Sequence, residues 1–250
     1  MPLKYLSLLL LLLIGRLANA QQLPNAHSHN DYNKAEPFDH AYRNGFGSIE
    51  ADVFLRKGRL LVSHDTASLS TSRSLTRMYL KPLRKALKKD TSRRITLLVD
   101  LKESYSSILP ELIRELKPLR KFCKGYNLNG RLQILISGNR PLPALFVNYP
   151  DYLWFDEDLK HPYDAVAQSK IGQISLRFSD YASWKGVGPM PAEDEQRVKA
   201  VIKAVHAMHK PIRFWDAPDS PAGWTKLLQL GVDMIGTDHI DELTAFWKQR

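Results

Sequence analysis

Between His27 and Asp65 lie three groups of side chains able to bind a cation or carry a proton. The first is His27-Ser28-His29-Asn30-Asp31-Tyr32, the second Ser48-Ile49-Glu50-Ala51-Asp52-Val53, and the third Leu61-Val62-Ser63-His64-Asp65. A fourth acid, Asp100, closes the apolar run Ile95-Thr96-Leu97-Leu98-Val99, with Lys102 two residues on. Carboxylates and imidazoles at the ends of successive buried strands are the equipment of metal-assisted hydrolysis or phosphoryl transfer.

Glu50 and Asp52, two apart on a strand, face the same way and can converge on one ion. Two inward carboxylates without a cation would repel each other and be costly to bury. All-oxygen donors suit Mg²⁺ or Ca²⁺ better than Zn²⁺. Asp100 adds a third carboxylate, with Lys102 as a cation on the same face. The competing readings are a solvated strand face for Glu50-x-Asp52, a helix N-cap for Asp100 and an Asx turn for Asp65. His27-x-His29 is open between zinc ligands, a catalytic base with a helper, and a loop clamp. Two histidines from different strand ends, flanking a carboxylate-bound cation, form a general acid and base across a phosphorus centre.

Short apolar runs that could place these groups alternate with segments of helical period. Strands are expected over 23–26, 48–54, 95–101, 132–137, 152–155, 171–176, 211–215 and 233–236. Ile108, Leu112, Ile113, Leu116 and Leu119 mark one helix, and Val198, Val201, Ile202, Val205 and Met208 another. A third spans Ala222 to Leu230 and stops at Gly231. Eight strands alternating with helices predict a single (β/α)8 TIM-type barrel over residues 21–250, with a doubly wound open sheet as runner-up. Lys57-Gly58-Arg59 reads as a hairpin turn that returns the chain toward His64. No internal repeat or low-complexity tract follows the leader.

Residues 1–20 read as a secretory signal peptide: Lys4, the apolar run Leu8 to Ile14, then Ala18-Asn19-Ala20. Cleavage near Ala20/Gln21 would place the mature chain outside the cytoplasm, secreted or periplasmic. Losing Lys4 and Arg16 with the leader takes the formal charge from +10 to +8. That balance favours encounter with anionic substrates or surfaces, including peripheral contact with a membrane, although solvated helix faces also account for it. No nucleic-acid partner is expected, and the chain is read as a monomer. Cys123, the single cysteine, cannot form an intramolecular disulfide and has no catalytic cysteine motif beside it.

Taken in order, these motifs resemble the phospholipase C-like and glycerophosphodiester phosphodiesterase superfamily. Ser28-His29-Asn30-Asp31-Tyr32 is similar to the Ser-His-Asn-Thr-Tyr run of eukaryotic phosphoinositide phospholipases C, whose histidine is catalytic and whose asparagine binds calcium. Glu50-Ala51-Asp52 resembles the Glu-x-Asp strand of the whole superfamily, and His64-Asp65 its second catalytic histidine. Asp100-Leu101-Lys102 resembles the Asp-Leu-Lys of spider sphingomyelinase D, where the acid binds Mg²⁺. Gly231-Val232-Asp233-Met234-Ile235-Gly236-Thr237-Asp238 is similar to the closing segment of the glycerophosphodiesterases. His-Asn-Asp-Tyr and Glu-Ala-Asp-Val are most similar to the altered inheritance of mitochondria protein 6 subgroup. The His-Arg-Gly and Glu-Asn-Thr motifs of glycerophosphodiesterases are absent, so the arginine that helps hold phosphate there has no sequence counterpart.

The resemblance implies one Mg²⁺ or Ca²⁺ held by Glu50, Asp52, Asp100 and Asn30. It implies catalysis by His29 and His64, with Lys102 on the phosphoryl charge and a neighbouring substrate hydroxyl attacking first. The sphingomyelinase pattern His-x-x-Asn would select His27 instead of His29; the longer Ser-His-Asn-x-Tyr match selects His29. The expected substrate is a small-molecule or lipid phosphodiester. Two rivals stand beside this reading. An amidohydrolase-like enzyme would bind zinc through His27, His29 and Asp238, and a non-catalytic barrel would bind anionic lipid or glycan with Trp184, Trp215 and Trp224 at its mouth.

Overall fold

In strand β2 (Phe46–Arg56), Ser48, Glu50 and Asp52 point one way and Ile49, Ala51 and Val53 the other, and all six are buried. Such a strand has two covered faces, one polar and one apolar, as in a barrel whose interior carries chemistry while helices cover its outside. The computed structural model, which describes residues 22–250, has this form. The leader expected over 1–20 lies outside the described residues.

The strands β1 (Leu23–Ser28), β2, β4 (Ile95–Leu101), β5 (Leu132–Gly138), β6 (Leu153–Glu157), β7 (Ile171–Arg177), β8 (Ile212–Trp215) and β9 (Ile235–Thr237) are all parallel. They pair in the order β8-β7-β6-β5-β4-β2-β1-β9. A bridge between Arg213 and Met234 brings β8 against β9, so the barrel is nearly closed. Strand β3 (Arg59–Val62) lies outside this circle, antiparallel to β2. Lys57 (φ 49) and Gly58 (φ 71) make its turn with two left-handed residues, the geometry that matches strand twist in a tight hairpin.

The helices are α1 (Asp39–Arg43), α2 (Lys81–Lys89), α3 (Tyr105–Glu115), α4 (Ala165–Lys170), α5 (Ala192–Ala207), α6 (Pro221–Leu230) and α7 (Ile240–Lys248). The stripe expected to run on to Leu119 breaks after Glu115. Pro118 has no N–H for the helical ladder, and the chain continues as a 3₁₀ turn, Lys117–Phe122. Helix α6 starts at Ser220, whose hydroxyl accepts from the Gly223 N–H, and ends at Gly231 with φ 92. Ile49, Val53, Val99, Ile136 and Phe155 belong to the buried layer between strands and helices. Among the described residues no helix is long and apolar enough to cross a membrane.

Candidate active site

Register brings the acids together. Asp52 and Asp100 are direct partners across β2 and β4, and Glu50 lies two residues before Asp52. Each of the three offers an oxygen within 4.8 Å of the others. Asp100 therefore ends a strand facing the interior; the N-cap position of α3 belongs to Ser104. The ammonium of Lys102 sits 2.8 Å from Asp52 Oδ2 and 3.2 Å from Asp100 Oδ2. Burial raises the Asp100 carboxyl to about 6, helped by the Glu50 charge and opposed by Lys102. Burial lowers the Lys102 pKa, but the Asp100 and Asp52 charges outweigh it and raise it overall.

The residues after β1 wrap this cluster. Asn30 takes a left-handed backbone (φ 53) that turns the chain over the strand end. The Tyr32 hydroxyl lies 2.8 Å from Asp52 Oδ2 and also touches Asn30 Oδ1, tying the carboxamide to the acid cluster. Asp31, fully buried, accepts from the Phe38 N–H at 2.8 Å and from the Tyr79 hydroxyl, which anchors the turn. Burial pushes the Asp31 carboxyl up to about 6.

Of the two predicted histidines of the mouth, His29 is partly exposed and His64 mostly exposed. His29 Nδ1 lies 2.8 Å from Asp238 Oδ1, and His64 Nδ1 3.2 Å from Asp52 Oδ2. Burial disfavours the His29 imidazolium, but the Asp238 hydrogen bond and the Glu50 and Asp238 charges outweigh it and raise its pKa. Asp238 is fixed in turn, since its N–H donates to Asp219 Oδ2 at 2.8 Å. Asp65 makes the Asx turn instead of joining the site, accepting from the N–H and hydroxyl of Ser68.

His27 has a different environment. Its ring is wholly buried, with Nδ1 2.8 Å from Ser48 Oγ and Nε2 2.7 Å from Glu50 Oε2. Burial and the neighbouring Arg213 charge lower its pKa to about 4. A neutral ring donates from only one nitrogen, and Nε2 faces both Glu50 Oε2 and the Arg213 guanidinium. Its geometry is that of a support for Glu50.

Sequence reasoning missed Arg213. From β8 its guanidinium donates to Glu50 Oε2 at 3.1 Å and approaches His27 Nε2 at 2.5 Å, while Nε donates to Ser175 at 3.1 Å. Burial opposes ionisation of Glu50, but the Arg213 charge and the His27 hydrogen bond keep its pKa well below the usual carboxylate range. An arginine thus enters the interior from the far side of the barrel, although the first strand carries none. The signal was an arginine between Ile212 and Phe214 in a strand buried on both faces. Asp156 on β6 was missed for the same reason; burial pushes its carboxyl up to about 7, and Oδ1 has no partner.

His29, His64, Glu50, Asp100, Lys102 and Arg213 line a cavity of about 430 Å³. An adjoining depression of about 340 Å³ shares His29, Arg213 and Trp215 and reaches Asp238. Of the three tryptophans expected at the mouth, only Trp215 is there, 47 % exposed; Trp224 is fully buried and Trp184 nearly so. The large indole of Trp224 packs edge-on against Phe246 and spends its N–H on Asp219. A zinc site through His27, His29 and Asp238 does not form: His27 is directed to Glu50 and His29 is paired with Asp238.

The donor set fits a hard divalent cation. Asp52 Oδ1 is buried without a hydrogen-bond partner while Oδ2 is engaged, and all the candidate acid ligands present oxygen. Space for the third acid depends on Gly138 (φ 70), where a β-carbon would lie 1.9 Å from Asp100 Oδ1.

Residues 18–92, which hold both histidine segments and the Glu50-x-Asp52 strand, match the model of the AIM6-like phosphodiesterase domain. Over that segment the chain is similar to the AIM6-like family. Its class is that of the phosphoric diester hydrolases. The chain is 28 % identical over 269 residues to altered inheritance of mitochondria protein 6 homolog of Arthroderma benhamiae, covering 88 % of this chain and 83 % of that protein. Altered inheritance of mitochondria protein 6 of Kluyveromyces lactis is 25 % identical over 90 % of this chain and 72 % of its own length. The barrel is similar to that of a putative glycerophosphoryl diester phosphodiesterase from Silicibacter pomeroyi, with TM-score 0.59, 12 % identity, and 92 % and 94 % of the two chains covered. A phosphodiesterase of Oleispira antarctica in complex with the product sn-glycerol-3-phosphate superposes with TM-score 0.57 at 12 % identity, over 90 % of this chain and 97 % of that one. These AIM6-like relatives and barrels agree with the expected fold.

Proposed function

We propose that this AIM6-like chain is a metal-dependent phosphodiesterase of glycerophosphodiester or phospholipid-type substrates, exported from the cytoplasm. The observation that carries the reading is the convergence of Glu50, Asp52 and Asp100 within 4.8 Å beside His29 and His64. Glu50, Asp52, Asp100 and Asn30 would hold one Mg²⁺ or Ca²⁺. Such an ion, when bound, neutralises a non-bridging phosphate oxygen and lowers the pKa of the attacking hydroxyl.

The chain's own residues supply the rest. Arg213 and His27 fix Glu50 as a carboxylate in one orientation. Tyr32 occupies Asp52 Oδ2, which leaves Oδ1 as the free donor. Lys102 is charged and lines the same cavity, so its ammonium can turn from the carboxylates to a phosphate oxygen. His29 and His64 divide proton removal from the nucleophile and proton delivery to the leaving oxygen. Asp238 holds Nδ1 of His29, which leaves Nε2 for that transfer.

Hydrolysis of glycerophosphocholine, lysophosphatidylcholine and phosphatidylinositol with Mg²⁺, with Ca²⁺ and with chelator tests the reading. Turnover of at least one, lost in chelator and restored by one of the two ions, is expected. No turnover of any phosphodiester under any of these conditions would overturn it. Export is tested separately by N-terminal sequencing of the mature chain, which should begin at Gln21.

A further inference from the structure

A surface groove of about 740 Å³ shares no lining residue with the two cavities around His29. Arg59 from β3, Arg77 from the π-helical turn before α2, Lys81 from the start of α2, and Arg114 and Lys117 from the end of α3 and beyond converge on it. Its one acid, Glu115, is already engaged, accepting from the Leu60 N–H at 3.3 Å and from the Thr76 hydroxyl. Helix α2 carries the same charge onward: Lys81, Arg84, Lys85 and Lys88 recur at helical spacing and are exposed, while Leu83 and Leu87 are buried on the other side. Among the described residues no carboxylate pairs with any of these cations except Glu111 with Arg114. Like charges gathered from several elements repel one another, and an external polyanion relieves that repulsion.

We propose that this groove and the exposed face of α2 form one docking surface for an anionic lipid bilayer; the choice of a bilayer rests on the reading of the substrate as phospholipid-type. Charge complementarity carries it. A basic surface patch gains affinity for an anionic leaflet with each lysine or arginine near it. No Phe, Tyr or Trp lines the groove, so it lacks the stacking platforms on which single-stranded nucleic acid binding relies. With the leucines of α2 turned inward, contact is by charge without insertion, and salt reverses it.

Co-sedimentation of the full chain with vesicles of phosphatidylcholine, alone or mixed with phosphatidylglycerol, tests this. The native chain should pellet only with the anionic vesicles and be released by about 0.5 M salt. The variant Arg77→Glu/Lys81→Glu/Lys85→Glu should lose partition by at least about 100-fold, while hydrolysing soluble bis(p-nitrophenyl) phosphate as the native chain does. If that variant melts early, Lys85→Gln/Lys88→Gln on the exposed helix face makes the same comparison, with a drop of about 10-fold. Equal pelleting of native and variant chains, or equal partition onto neutral and anionic vesicles, overturns the proposal. Binding to a DNA oligonucleotide with none to vesicles overturns it too and assigns the patch to nucleic acid. Vesicle binding is read without turnover, so a chain that docks but hydrolyses nothing upholds this surface and refutes the catalytic reading.

Discussion

Gly138 and Asp100 occupy adjacent strand ends so closely that a β-carbon on the glycine would lie 1.9 Å from the carboxylate Oδ1. Gly138→Ala must therefore push Asp100 out of the acid cluster or move the β5 end. The alanine would also sit at φ 70, a strained conformation that costs on the order of 1 kcal/mol. Divalent-ion affinity should fall by at least about 10-fold, with a small loss of melting temperature. Calorimetric titration checks it, and unchanged affinity would remove Asp100 from the ligand set.

His64 is 63 % exposed at the side chain and touches the acid cluster only through Asp52 Oδ2. Replacing it by alanine should lower turnover by about 10²- to 10⁴-fold and leave metal affinity nearly unchanged. Steady-state kinetics beside a metal titration separate the two effects; full activity in His64→Ala would end its assignment to proton transfer.

Asp238 raises the pKa of His29 by holding Nδ1. Asp238→Asn removes that charge, so the His29 pKa falls, and whichever limb of the pH–rate profile reports His29 moves to lower pH. The direction is the same whether His29 acts as base or acid. NMR titration of the ring gives an independent reading, and a limb that stays in place would assign it to another group.

Asp156 carries a folded-state pKa of about 7, raised by burial against the partial relief of Arg213. Its unfolded value is about 3.9. The stability it contributes is fully present below the unfolded value and is lost as pH rises through about 7. Asp156→Asn lacks this dependence. At pH above 7 it should be the more stable chain by on the order of 1–4 kcal/mol, with the gap closing toward about pH 4. Chemical denaturation across that range checks it. A variant less stable than the native chain at high pH would mean that pairing with Arg213 outweighs burial and that the Asp156 pKa is not raised.

Much of this site was legible because strands have a period of two. Ser48, Glu50 and Asp52 alternate with Ile49, Ala51 and Val53, and that pattern states that one covered face is polar. Lys57-Gly58 gave the hairpin by its turn chemistry, and Gly231 the end of α6. The sequence pattern was silent where partners meet from distant strands. Arg213 stands 163 residues from Glu50, and nothing local distinguishes it from a surface arginine except its apolar neighbours. His27 and His29, two apart, looked interchangeable. Only the distant partners Glu50 and Asp238 separate a buried support from a partly exposed ring. The tryptophans misled because a large apolar ring fits a core as well as a mouth, and Trp224 went to the core.

Isothermal titration calorimetry of the chelator-stripped chain with Mg²⁺ and with Ca²⁺, beside Asp52→Asn, tests the central claim most directly. One ion per chain, with binding weakened at least about 10-fold in the variant, is the predicted result. No saturable binding of either ion, or binding that Asp52→Asn leaves intact, would contradict it.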